Sequence, residues 1–282
     1  MPTLPHPLFA PSEPATEPTP VLRRTLAEFP DHFPTVEAAR AYLRLIIVPP
    51  SMRWGFMSVG KTASSSILTL LFKAEFGTDL TVSLQPGRDI NPAAPVHMLA
   101  DCQVFSRAYL LGLSAGEVLG PKGPRERIVM LREPMQRAAS AFRYFCLSDT
   151  MQSPWFLPDR LRINAAFGFD WRVHPGTIDG FRLFLRFVEA EAERVGVDAV
   201  DGHWRPQHDF IKPAVFQPTI TGKMDDMAGF VRALEERLGL PMTASMPWEN
   251  RQRVEVDPFE VDAEAVALCQ RIYARDFDLW ES

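Results

Sequence analysis

Two short stretches hold the residues best suited to chemistry. The first is Ser58-Val59-Gly60-Lys61-Thr62-Ala63-Ser64-Ser65-Ser66. It follows an apolar run, residues 53–59, and precedes residues 67–77, whose apolar positions repeat with helical spacing and stop at Gly77. The spacing predicts strand, loop and helix. The first turn of a helix leaves N–H groups unpaired and carries partial positive charge, so an anion placed there is held. Lys61 adds a full charge, while Thr62, Ser64, Ser65 and Ser66 add hydroxyl donors. Gly60 permits a backbone angle that other residues resist. The loop suits a phosphate or a sulfate. A polar helix cap beside a surface lysine produces the same string.

The second stretch is Arg132-Glu133-Pro134-Met135-Gln136-Arg137-Ala138-Ala139-Ser140, directly after the apolar run RIVML at 127–131. That run reads as a buried strand, and Pro134 opens a helix to about Cys146. Arg132 then stands at the carboxyl end of a strand, where α/β sheets bind ligands. Its planar fork suits a phosphate, and Ser140 offers a hydroxyl to the same group. An ion pair with Glu133 or another acid is the structural alternative for Arg132.

Residues 55–62 also spell G-x-x-x-x-G-K-T, a literal nucleoside-triphosphate loop. In that motif the four middle residues belong to the loop, whereas Phe56, Met57, Ser58 and Val59 read as strand. A triphosphatase or kinase also needs a carboxylate at a strand end to manage Mg²⁺. Here Arg132 stands in that place. The triphosphatase reading is therefore the alternative, not the first choice.

The elements around these loops describe an α/β protein. Hydrophobic residues make up 46% of the 282 and charged residues 23%, as in soluble globular chains. A net charge of -5 argues against broad nucleic-acid binding. No apolar run is long enough to span a membrane, and no secretory signal is apparent, so a soluble, cytoplasmic protein is expected. Cys102, Cys146 and Cys269 are odd in number and far apart, which fits neither a disulfide framework nor a CxxC metal or redox site. His203 and His208 are five apart, off one helix face and without a third ligand, so no metal site is expected. Seven prolines in residues 1–20 predict a flexible arm, taken through residue 34, followed by one domain over 35–282. Residues 35–48 suit a helix capped by Thr35. Residues 148–180 read as a long irregular insertion, and residues 180–196, 228–240 and 263–280 as amphipathic helices.

Taken together, the two stretches resemble the cofactor signatures of the PAPS-dependent sulfotransferases, closest to the carbohydrate-type (family 2) branch. The first resembles P-K-T-[AG]-[GST]-[ST]-[ST], matched by Gly60 to Ser66 with Gly60 in place of proline. The second resembles R-D-P-x-x-R-x-x-S-x-[YF], matched by Arg132, Glu133, Pro134, Arg137, Ser140 and Phe142. HWRPQHDFI at 203–211 and YARDFDLW at 273–280 resemble two further segments of that family, in the same order.

The resemblance implies a P-loop-like three-layer α/β fold, with a central mostly parallel sheet flanked by helices. It implies that Gly60, Lys61, Thr62, Ala63, Ser64, Ser65 and Ser66 grip the 5′-phosphosulfate of PAPS, and that Arg132 and Ser140 hold the 3′-phosphate. It also implies that Lys61 stabilises the leaving oxygen, with PAP as the product. His97 is the first choice for the base that activates a hydroxyl or amine on a small-molecule, glycan or lipid acceptor. Asp101 and His203 are the alternatives. His203, Trp204, Arg205 and Gln207 are candidates for the cofactor or acceptor pocket, and the insertion around Trp155, Phe156, Phe169, Trp171 and Arg172 for acceptor contacts. A non-catalytic PAP-binding relative is the remaining alternative.

Overall fold

The computed structural model describes residues 18–82, 90, 94–239 and 259–282. Strands β1 (Ile46–Val48), β2 (Trp54–Met57), β3 (Ser106–Arg107), β4 (Glu126–Leu131) and β5 (Ile220–Lys223) form one sheet in the order β3-β1-β2-β4-β5. β2, β4 and β5 run parallel, and β1 runs antiparallel to both of its neighbours. The register aligns Phe56 with Ile128 and Ile128 with Ile220. Side chains alternate across a strand, so each face gathers its own apolar set. Trp54, Phe56, Ile128, Met130 and Ile220 pack against the Ser64–Phe76 and Met227–Leu238 helices. Ile46, Val48, Met57, Val129 and Leu131 pack against the Thr19–Glu28 and Val36–Leu43 helices. Strands covered on both faces must be apolar throughout, which is why β2 and β4 read as continuous runs.

A third cluster lies among the Pro134–Thr150, Ile178–Val195 and Ala263–Ile272 helices. Phe142 and Phe145 belong to this core, ringed by Phe169, Phe181, Phe184 and Trp204.

Four expectations are corrected. Thr35 does cap a helix, accepting from the Ala38 N–H at 3.1 Å, but that helix ends at Leu43. Residues 46–48 are β1, because the β-branched Ile-Ile-Val run pairs with strands on both sides. The N-terminal segment is helical over Thr19–Glu28, where an arm was expected, and it buries Val21 and Leu22. Pro20 is tolerated because it falls in the first helical turn, which needs no N–H. The insertion contains a helix, Leu157–Phe167, with Pro158 in its first turn and Gly168 closing it. The last helix is broken at Tyr273 into Ala263–Ile272 and Ala274–Glu281. The arm expected over residues 1–17 lies outside the described residues.

Phe142 has no exposed surface and meets four other phenylalanine rings. Phe142→Ala is expected to lower stability by about 3–5 kcal/mol in chemical denaturation. A loss below 1 kcal/mol would show that this cluster does not hold the helices together.

Candidate active site

The loop after β2 is shaped by main-chain bonds. The Ser58 N–H donates to Leu45 O at 3.1 Å and the Val59 N–H to Met57 O at 3.0 Å. The Thr62 hydroxyl, fully buried, donates to Val59 O at 3.0 Å and closes the turn. Lys61 and Ala63 have φ of 68° and 58°, and the Ser64–Phe76 helix begins at the next residue. Left-handed backbone at two non-glycine residues costs ~1–3 kcal/mol each and typically persists where a site needs it. Such alternating backbone turns successive N–H groups toward one concavity that suits an anion.

Gly60 is needed for a different reason from the one expected. Its φ is not in the left-handed region. A Cβ there would lie 2.7 Å from Gly202 O, so glycine lets the 202–203 backbone approach the loop. Gly55 sits inside β2, where a Cβ would lie 2.7 Å from Pro124 Cγ. The loop therefore begins near Ser58, as expected, and Gly55 is a packing residue.

Arg137 joins the two signature stretches. It is 1% exposed. Its Nε donates to Gly60 O at 3.0 Å, Nη1 to Arg205 O at 2.8 Å and Nη2 to Gly202 O at 3.2 Å. Burial lowers its pKa, with Asp276, Tyr273 and Asp201 acting against that shift. Arg132 follows β4 and reaches the first loop through Nη1, which donates to Lys61 O at 3.3 Å. Gln207 fixes the Arg132 backbone on both sides: the Arg132 N–H donates to Oε1 at 2.9 Å and Nε2 donates to Arg132 O at 2.8 Å. Gln207 is itself set by the Asp276 carboxylate, which accepts the Gln207 and His208 N–H groups, each at 2.7 Å. Glu133 does not serve as the ion-pair partner considered for Arg132. Its carboxylate caps the following helix, accepting from the Met135 and Gln136 N–H groups at 3.0 and 2.6 Å.

The Lys61 ammonium lies 4.0 Å from the centroid of the Tyr144 ring. His203 stacks on the same ring at 4.9 Å, and its Nδ1 is 2.7 Å from Asp201 Oδ1. Burial, then the charges of Arg132, Arg137 and Arg143, lower the Lys61 pKa from 10.5 to about 7. Crowded cations are destabilising until an anion neutralises them. His97 closes the helical turn Ala94–His97, and its Nε2 lies 3.2 Å from Ser65 Oγ. Ser140 is half-buried on the Pro134–Thr150 helix.

The structure thus gathers Lys61 with Arg132, and His97 with Ser65. Other candidates have different partners. Trp204 is buried among Phe145, Phe156 and Phe184 and packs the core. Arg205 turns its guanidinium onto Val200 O. Gln207 is buried and positions the Arg132 backbone. Asp101 is more than half exposed and pairs with Arg107 at 2.7 Å. In the insertion, Phe156 and Phe169 are core residues, whereas Trp155 is exposed and Arg172 pairs with Asp170. Sequence reasoning missed Arg143, Tyr144 and Asp201. The first two lie three and four positions beyond Ser140, the spacing that shares a helix face, and that signal was available.

Arg137→Met would strand three main-chain carbonyls, and a loss of about 3–5 kcal/mol is expected in chemical denaturation. A loss below 1 kcal/mol would mean that the loop and the 202–205 segment are held together by something else. Lys61 gives a pH signature. Because its folded pKa is depressed, the unfolded state binds more protons between about pH 7 and 10.5, and stability should rise across that window. Lys61→Met should remove the rise. An unchanged slope in thermal unfolding would contradict the crowded-cation description.

A family model described as the sulfotransferase family matches residues 124–281, more than half of the chain. The matched region contains Arg132, Arg137 and Ser140, and the segments at 203–211 and 273–280. Comparison with curated proteins found no match, and neither did comparison with solved structures. The residues that lock the Arg132–Ser140 stretch to the 202–205 segment fall within the matched region, and the chain belongs to the sulfotransferase family.

Proposed function

We propose that the chain moves a sulfuryl group from PAPS to a hydroxyl or amine on a carbohydrate, lipid or small-molecule acceptor, within a P-loop-like α/β domain. The observation that carries this reading is the contact between the two anion stretches, Arg132 Nη1 to Lys61 O at 3.3 Å. A nucleotide bearing phosphates at both its 5′ and 3′ ends needs two adjoining anion sites. The donor set fits such a group: backbone N–H groups of residues 60–66, hydroxyls of Ser64, Ser65 and Ser66, and the cations Lys61 and Arg132. In this reading the 60–66 loop holds the 5′-phosphosulfate, and Arg132 with Ser140 holds the 3′-phosphate.

When bound, PAPS supplies an activated sulfuryl group. Lys61 is held beside the loop by the Tyr144 ring, and its ammonium stabilises negative charge on a departing oxygen. With its pKa lowered to about 7, part of Lys61 is neutral in the free protein near neutral pH and becomes charged when an anion enters. His97 accepts the acceptor's proton at Nε2, which already points to Ser65 in the loop. The triphosphatase reading is disfavoured by Gly55, which sits within β2, and by Arg132, which stands where a Mg²⁺-holding carboxylate belongs.

Titration calorimetry of the whole chain with PAP, in EDTA and against ATP and AMP, tests the assignment. Micromolar binding of PAP alone is expected, weakened at least tenfold in Arg132→Ala, a loss of ~1.4 kcal/mol or more. At pH 8 binding should take up a proton in wild type and none in Lys61→Met, because the anion raises the Lys61 pKa from about 7. If PAP does not bind and ATP binds only with Mg²⁺, the donor assignment fails.

A further inference from the structure

A second cationic feature lies outside the loop. A cleft of about 390 Å³ opens at the β3 edge, with Arg40, Arg44, Asp101, Ser106, Arg107 and Tyr109 among its walls. Arg107 is mostly buried. Its guanidinium donates to Arg44 O at 2.5 Å and to Asp101 Oδ1 at 2.7 Å. Arg40 and Arg44 are exposed and one helical turn apart. Their side chains make no hydrogen bond or ion pair with any described residue. Three guanidinium groups thus meet one carboxylate, in a chain whose net charge is -5.

The cleft also has a fixed place relative to the loop. β1 separates β3 from β2, so two strand spacings, ~10 Å, separate the cleft's edge strand from the strand that carries the loop. The two are tied directly. Leu45 O accepts the Ser58 N–H at the start of the loop, and Arg44, the residue before Leu45, accepts Arg107. The short helix Met98–Asp101 begins directly after His97 and ends at the cleft wall. The cleft is too large for one small oxyanion and falls in the range of pockets that take whole molecules.

We infer that this cleft is a second anion site, which holds a carboxylate or sulfate borne by the acceptor while the acceptor's nucleophile lies at His97 and Lys61. The inference rests on the sulfuryl-transfer reading and makes the acceptor an acidic molecule. Guanidinium forks bind such groups bidentately. The excess of positive charge in the cleft lining also draws acidic molecules from solution, an effect that salt weakens.

The test is titration of the whole chain, saturated with PAP, with a hyaluronan tetrasaccharide, its carboxyl-reduced form and inorganic sulfate. The acidic tetrasaccharide should bind, and the reduced form should bind at least tenfold more weakly. The double variant Arg40→Ala/Arg44→Ala should also weaken the acidic probe at least tenfold, with PAP affinity unchanged. Arg232→Ala, which removes an exposed arginine on the Met227–Leu238 helix, should change nothing. Equal binding of the two tetrasaccharides, equal binding by the double variant, or no binding at all overturns the inference. Displacement of the tetrasaccharide by sulfate at equal concentration would assign the cleft to a free oxyanion and likewise overturn it. Failure of PAP to bind in the same samples counts instead against the proposed donor, so the two failures are distinguishable.

Discussion

The Arg137 guanidinium is buried and makes all three of its hydrogen bonds to main-chain carbonyls. Those carbonyls belong to the first loop and to the 202–205 segment, which are far apart in the sequence. A buried charge is tolerated only when its hydrogen bonds are satisfied and opposite charge is near. Asp276 and Asp201 act against the burial penalty. Because carbonyls bind in fixed directions, the arginine also sets how closely the 202–203 backbone approaches Gly60. No residue larger than glycine fits at position 60 without moving that backbone.

Around this joint the fold assembles a concentrated positive field. Lys61, Arg132, Arg137 and Arg143 converge, and burial, together with the three guanidinium charges, depresses the Lys61 pKa. The left-handed backbone at Lys61 and Ala63 adds local strain. Both are supported by the buried clusters on either face of the sheet. On the proposed function, a site held in this way needs little rearrangement to receive the donor's anionic groups, which is how electrostatic stabilisation becomes effective.

The Pro134–Thr150 helix serves both purposes at once. One face carries Ala138, Ala141, Phe142 and Phe145 into the aromatic core. The neighbouring face carries Ser140, Arg143 and Tyr144, all half-buried, with Tyr144 against Lys61 and His203. Packing of the core face thus fixes the rotation of the site face. The tail acts in a similar way. The Tyr273 hydroxyl donates to Trp204 O at 3.0 Å and Asp276 caps the residues after Pro206, so the chain's last helices position Gln207 and, through it, Arg132.

Local sequence was enough to locate β2, β4, the helix after each of them, and the two stretches that meet at the site. Those elements are long apolar runs or periodic segments bounded by glycine or proline, so each announces itself within a few residues. It did not reveal β1, β3 or β5, which are short and exist only because neighbouring strands supply their hydrogen bonds. Nor did it reveal why Gly60 is glycine, since the constraint is the backbone of residue 202. The residue types at 61 and 132 pointed to anion binding. Folding alone brought Arg132 to Lys61, gave Gln207 to the Arg132 backbone and buried Trp204. Contacts between residues some seventy positions apart, or more, depend on how layers pack, and no local pattern encodes that distance.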